Sequence, residues 1–403
     1  MRKLLKDGME NNVVVKTTAT RKITLDGITA NYPVYKVRLD WLYYNDKNDR
    51  IATWISKFKS ENDGMIPNLE DKDAYNDIVE DFIYQSNPEA LKKTQKNIEM
   101  FEQREPGVVL NDGRIIDGNR RFTCLRRLSK ENEKFNYFET VIIDRDLEAD
   151  AKQIKMLELS IQHGEEKKVD YNPIDRLVGV YNDLIENKLL TEEEYARSAN
   201  MTLQEVKKSE RIAQLMVEFL EFINAPKKFY IARDLKIDGP LLEMPNMLNK
   251  CVTEEEKENL KIALFNNILM LPSGDITRFV RRFKKVIGTK FQDEFLEEQK
   301  DLAEEVLEKL PEEGKVSLDI IRDDIRSDAE VQEKLNLSID KFVEKSNKTK
   351  TLSQPLDLAE KSKSNLEDID INIIAKMAPE SVDKFKKTLD ELEQLINSIK
   401  ENI

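Results

Sequence analysis

Between Lys22 and about Asp146, short apolar or β-branched runs alternate with helical stretches. Tyr32 to Leu39, Gly107 to Leu110, Arg114 to Ile116 and Thr140 to Ile143 predict strands, and Ala90 to Gln103 predicts a helix. That alternation reads as an α/β domain. After Leu147 the period changes to 3.6 residues, with Ile174, Leu177, Val178, Tyr181, Leu184 and Ile185 on one face. Amphipathic helix returns from about Pro240 to Leu310. Ser346 to Ser364, rich in Lys, Ser, Asn and Thr with one proline, predicts a flexible linker. From about Glu380 to Asn402, a stripe of Phe385, Leu389, Leu392, Leu395, Ile396 and Ile399 predicts a helix that needs a partner surface. The partner is a second copy, another protein, or the chain's own helical domain.

Composition narrows the class. The chain has 403 residues, of which 39% are hydrophobic and 35% charged, with only 12 glycines and 12 prolines. Such a chain can bury a core and favours solvated helices over a turn-rich β fold. No run approaches the length of a membrane span, and Met1 to Asn11 is charged with no hydrophobic stretch, so a cytoplasmic protein without membrane contact is expected. Two cysteines, Cys124 and Cys251, and one histidine, His163, provide neither a disulfide framework nor a multi-histidine metal centre, and no metal ligands are assigned. The formal net charge is -13. Residues 301 to 403 hold 16 basic and 25 acidic side chains, so nine of those thirteen charges lie in the last quarter. A near-neutral front can still carry a local basic surface.

The strongest local signal for chemistry is Arg114 to Phe122, where a short strand ends at Asp117-Gly118 and a helix opens with Asn119, Arg120 and Arg121. Such a turn directs backbone N–H groups and the positive helix end outward, and two arginines add bidentate donors, which suits a phosphate chain. A surface turn whose arginines pair with neighbouring acids reads equally well.

Three blocks resemble the ParB/sulfiredoxin superfamily, specifically the ParB-like proteins of bacteria, plasmids and phages. Asn45 to Arg50 is similar to the family's Asn-Pro-x-Gln-Pro-Arg element with aspartate in place of both prolines. Asp117 to Arg121 stands at the nucleotide loop. Gln162-His163 and Asp170 to Asp175 are similar to portions of the third block. The resemblance covers roughly residues 30 to 215. It implies nucleotide-binding residues Arg50, Asp117, Gly118, Asn119, Arg120, Arg121, Gln162 and His163, and a nucleoside triphosphate, CTP or ATP, with Mg2+. Departures matter too. Asn119 replaces the sulfiredoxin cysteine, and Cys124, a turn further on, reads as a buried apolar residue. Leu159-Ser160 stand where the hydrolysing relatives carry Glu-Asn, so weak or no hydrolysis is expected and no catalytic residue is assigned. His163 replaces an arginine and, as a lone histidine, reads first as structural.

Downstream, Thr191 to Glu194 and Thr202 to Glu205 are capping-box signatures eleven residues apart, each opening a short helix, with Ala196, Val206 and Ile212 free to pack inward. In ParB-like proteins a helix-turn-helix follows at this distance. Thr202 and Gln204 would then approach bases, and Lys207, Lys208 and Arg211 phosphates. Glu205 and Glu210 lie among them, and residues 171 to 235 carry nine basic and eleven acidic side chains, so a structural tri-helical element is the competing reading. A further basic group is Arg278, Arg281, Arg282, Lys284 and Lys285, of which Arg278, Arg281, Arg282 and Lys285 share one face of an amphipathic helix.

The expected architecture is an α+β ParB/sulfiredoxin-like domain over 22–168 followed by mostly helical parts. These are a helix-turn-helix region over 169–239, a helical domain over 240–345, a linker over 346–366 and a helical association segment over 367–403. The resemblance implies a DNA-associated, homodimeric protein in which nucleotide controls self-association. The alternatives are a nucleotide-dependent kinase or nuclease, and a defence or regulatory scaffold acting through protein partners at the acidic C-terminal region.

Overall fold

The computed structural model describes residues 3–163, 172–374 and 376–402, with His163 described only as part of its helix. Residues 1–342 form one compact unit and 343–403 a second. The first unit opens with strands β1 (Val14–Leu25) and β2 (Ile28–Arg38). Helices α1 (Ala52–Glu61), α2 (Lys72–Ser86) and α3 (Pro88–Phe101) come next. Then follow β3 (Gly107–Leu110), β4 (Ile115–Asp117), α4 (Asn119–Ser129), β5 (Tyr137–Ile143) and α5 (Ala151–His163). The sheet order is β1-β2-β5-β3-β4, with β3 and β5 parallel and the other neighbours antiparallel.

The strand pattern explains the layering. Successive side chains on a strand point to opposite faces. Val109, Ile115, Phe138 and Ile142 join one core with Phe122 and Leu125 of α4, Tyr75 and Val79 of α2, and Leu91 and Ile98 of α3. Val108, Leu110, Ile116, Val141 and Ile143 face a second core with Ile154, Leu157 and Ile161 of α5. Thus β3 is buried on both faces, and its continuous apolar run follows.

Several boundaries differ from the sequence expectation. The domain begins before Lys22, because β1 starts at Val14 and Leu4 is already buried, its N–H donating to the Asn111 carbonyl at 2.7 Å. The first half of β1, an edge strand, runs Val14-Val15-Lys16-Thr17-Thr18-Ala19, an order without apolar-polar alternation that conceals the period-2 signal.

Helices α6 (Pro173–Val180), α7 (Glu192–Ser198), α8 (Leu203–Phe222) and α9 (Phe229–Asp234) do not form a separate domain. Helices α6 and α9 and the loop before α9 are bonded to α1 of the α/β part. Asp175 accepts from the Thr53 N–H at 3.2 Å, and Arg233 donates to Thr53 Oγ1 at 2.8 Å. Ser56 Oγ donates to the Lys227 carbonyl at 2.8 Å and accepts from the Phe229 N–H at 2.9 Å. The unit continues through α10 (Asp238–Leu248), α11 (Glu254–Met270), α12 (Ile276–Arg281) and α13 (Gln292–Leu307).

Helix α14 (Ala329–Glu367) contains the stretch expected to be a linker, including Pro355, and the division between units falls at Phe342/Val343. Its lysines are good helix formers, and Lys348–Glu344 and Lys363–Glu367 are i, i+4 pairs that support an exposed helix. The second unit also holds α15 (Ile371–Ile374) and α16 (Pro379–Glu401), neither with a buried residue. No described helix is long and apolar enough to cross a membrane.

Candidate functional site

Strand β4 ends at Asp117, and Gly118 takes a left-handed conformation (φ 101°, ψ 16°) as the N-cap of α4. A Cβ there would lie 2.8 Å from the Phe138 ring, so both backbone angle and space call for glycine. One turn on, Thr123 Oγ1 donates to the Asn119 carbonyl at 3.0 Å and meets the Tyr44 hydroxyl at 2.7 Å, fixing the first turn of α4 inside the core. The Asn119 carboxamide is buried, and its Oδ1 has no hydrogen-bond partner.

The two loop arginines differ. Arg121 folds back onto its own chain, donating to Asp117 Oδ2 at 3.0 Å and to the Glu105 carbonyl at 2.6 Å. Asp117 is also held by Arg21 of β1 at 3.0 Å. The pairing of an arginine with a nearby acid, one of the two readings of this turn, therefore describes Arg121. Arg120 is half-buried, and its charge acts on the Cys124 thiol. Cys124 is buried as expected, and burial pushes its thiol up to about 12, so it carries no thiolate chemistry near neutral pH.

The first block lies beside the start of β4. Asn48 caps a short 3-10 turn over Asp49–Ile51 by accepting from the Arg50 N–H at 2.9 Å, and Arg50 is half-buried. Arg114, which precedes β4, donates to Asp46 at 2.8 Å and lies over the Tyr43 ring at 5.1 Å. Asp49 reaches Lys155 of α5, with both carboxylate oxygens within 2.8 Å of Nζ. Helix α5 packs against β4 and carries Gln162, whose amide donates to Glu158 at 3.1 Å. Two ionic contacts thus tie the first block to Arg114 and to α5.

Lys155 sits in a buried cluster that composition did not reveal. Beyond Asp49 it faces Asp183 at 3.2 Å and Glu158 at 4.0 Å, all nearly solvent-free. Burial disfavours its charge, but the three carboxylates outweigh that and hold the ammonium well above its ordinary range. With one cation for three acids, burial pushes Glu158 up to about 8 and Asp183 to about 7, with Asp49 adding to both. Gly179 lets the backbone approach the Asp49 carboxylate, since a Cβ there would come within 2.7 Å of it. The available signal was Lys155 and Glu158 at i, i+3 on the same stretch as Ile154, Leu157 and Ile161, where surface charges are out of place.

Leu159 is buried, and Ser160 Oγ donates to the Leu157 carbonyl at 2.9 Å. In the third block Asn172 caps α6 by accepting from the Ile174 N–H at 2.9 Å, Pro173 takes the first helical position, and Asp175 is buried. The His163 side chain, Glu165, Asp170 and Tyr171 lie outside the described residues.

Both capping boxes form as expected, at Thr191/Glu194 and Thr202/Glu205. The second helix, α8, is 20 residues long rather than short, because Ile212, Leu215, Met216, Phe219 and Leu220 continue its buried face. Thr202 is occupied as a cap, Lys207 pairs with Glu192 at 3.4 Å, and Arg211 donates to Asn249 at 2.8 Å. Gln204 and Lys208 are exposed. The other basic group does not share one helix, since α12 tightens into a 3-10 turn over Arg282–Lys285. Arg281 and Lys284 both hold Glu243, and Arg282 holds Asp340.

No protein-family model matches the chain, and no curated protein matches it. Among solved structures, a Pnob8-like ParB-N domain is similar, with 14% identity over 79% of this chain and 99% of that one and a TM-score of 0.31.

Proposed function

We propose that this chain is a ParB-like nucleotide-binding protein in which a triphosphate controls self-association on DNA. The observation that carries the reading is the α4 start at Gly118, which carries Arg120, together with the ties of the first block to Arg114 at the start of β4 and to Lys155 of α5. Arg120 and Arg50 supply charge for phosphates there, and the unpartnered Asn119 Oδ1 offers a buried acceptor. Arg121 acts indirectly, by holding Asp117 and the carbonyls before β3. A protein-held Mg2+ fits poorly. Asp117 is taken up by two arginines and Asp49, Glu158 and Asp183 by Lys155, and among the described residues no group of three or more acids, histidines or cysteines is arranged for a metal. CTP or ATP would therefore bring the cation on its own phosphates.

A second reading, a scaffold that docks protein partners, is favoured by the basic side chains already neutralised at Glu192, Glu243 and Asp340. Calorimetric titration of the full chain with CTP and ATP, with and without Mg2+, tests the first reading. One triphosphate per chain is expected. Arg120→Ala together with Arg121→Ala should weaken binding by about 1.5 to 3 kcal/mol, the worth of the one charge-assisted contact from Arg120, with Arg121 adding only through the turn that it holds. Absence of binding, or unchanged affinity in a folded double variant, overturns it.

A further inference from the structure

Helix α16 has no buried residue, yet its apolar positions follow a strict spacing. Val382, Phe385, Leu389, Leu392, Ile396 and Ile399 alternate at three and four residues, the a and d positions of a heptad. Leu389, Ile396 and Ile399 are 39, 44 and 62% exposed, so the seam is open to water. We propose that this seam is closed by α16 of a second copy lying antiparallel.

Charge decides the orientation. The e positions are Lys386, Glu393 and Lys400, and the g positions are Ser381, Thr388 and Leu395. Parallel helices would set g against e, giving Ser with Lys, Thr with Glu and Leu with Lys, with no pair of opposite charges. Antiparallel helices set e against e and g against g. One register places Val382 opposite Ile399, Phe385 opposite Ile396 and Leu389 opposite Leu392, each twice by symmetry. That same register brings Lys386 beside Glu393 of the other copy, also twice. It covers Leu395, which is 60% exposed and off the a/d seam, with the methyl of Thr388. The inference deepens the self-association part of the reading above and is independent of any nucleotide.

Sedimentation of the full chain over a range of concentrations reads the association, and engineered cysteines read its direction. A dimer is expected. Lys386→Glu or Glu393→Lys alone should weaken it about tenfold, since symmetry turns two attractive pairs repulsive, and the double exchange should restore it. In the proposed register two Ser381 residues lie about 28 Å apart along the axis. Ser381→Cys should therefore not cross-link on oxidation, whereas a chain with both Lys386→Cys and Glu393→Cys should; native Cys124 and Cys251 are buried. A monomer at every concentration overturns self-association altogether. A dimer locked by Ser381→Cys, or one indifferent to Lys386→Glu, overturns the antiparallel register alone.

Discussion

Replacing Lys155 with methionine keeps the side chain as far as Cε and removes the one cation that Asp49, Glu158 and Asp183 share. Breaking a buried ion pair from one side costs about 3 to 5 kcal/mol, because the remaining charge stays buried and uncompensated. Here the acids have an escape, since they can take up protons. Glu158 already has its ionisation pushed up to about 8 by burial, against an ordinary value of 4.5, and Asp183 to about 7. The sign follows from the direction. A carboxyl whose folded value is raised binds its proton more tightly in the folded state, so stability is greatest at low pH and declines as pH rises from the unfolded value through the folded one. For Glu158 that window runs from about 4.5 to 8, and between pH 5 and 8 it amounts to about 3 kcal/mol. Lys155→Met should therefore unfold at markedly lower urea than the native chain at pH 8, with much of the difference gone at pH 5. Glu158→Gln should flatten the pH dependence of the native chain. Urea midpoints followed by circular dichroism at pH 5, 6.5 and 8 provide the measurement. A Lys155→Met deficit equal at all three pH values would refute the account of the cluster as one cation serving three acids. The charged and titratable neighbours Arg176, Tyr195 and Asp175 belong to the same field, so the cluster titrates as a unit rather than residue by residue.

Triphosphate hydrolysis should not exceed the buffer blank in a phosphate-release assay, because Leu159 is buried and can neither hold metal nor polarise water; rapid turnover lost on substituting Asp117 would contradict this. Gly118→Ala should cost about 2 kcal/mol in urea unfolding, from the left-handed backbone and the contact with Phe138, and a neutral result would mean that the turn rearranges freely. Thr202→Ala should cost about 1 kcal/mol through loss of the α8 cap. Lys208→Glu, at an exposed position, should instead leave stability unchanged and lower the salt dependence of DNA affinity by about one phosphate contact; an unchanged slope in fluorescence anisotropy at several salt concentrations would remove α8 from the DNA contact.

How much of this was legible in the sequence depended on whether the determining contacts were local. Val108, Val109 and Leu110 declared β3 because a strand buried on both faces must be apolar throughout, and the capping boxes at Thr191 and Thr202 declared two helix starts from four residues each. The Asp117-Gly118 turn was likewise readable, since the left-handed angle and the helix start are fixed within a few residues. Arg121 was not: its partner set depends on Arg21, 96 residues before Asp117, which shares the same carboxylate. Lys155 was still further from reach. A lysine within a helix reads as solvated, and only the fold brings Asp49 and Asp183 around it and removes the water. The segment 346–364 shows the opposite failure, in which composition argued for a coil while lysine-glutamate spacing supports an exposed helix. The site proposed here therefore stands on pairings between distant segments, Arg114 with Asp46 and Lys155 with Asp49. Breaking either one should disturb the geometry of Arg50, which lies beside both acids, before it disturbs either local motif.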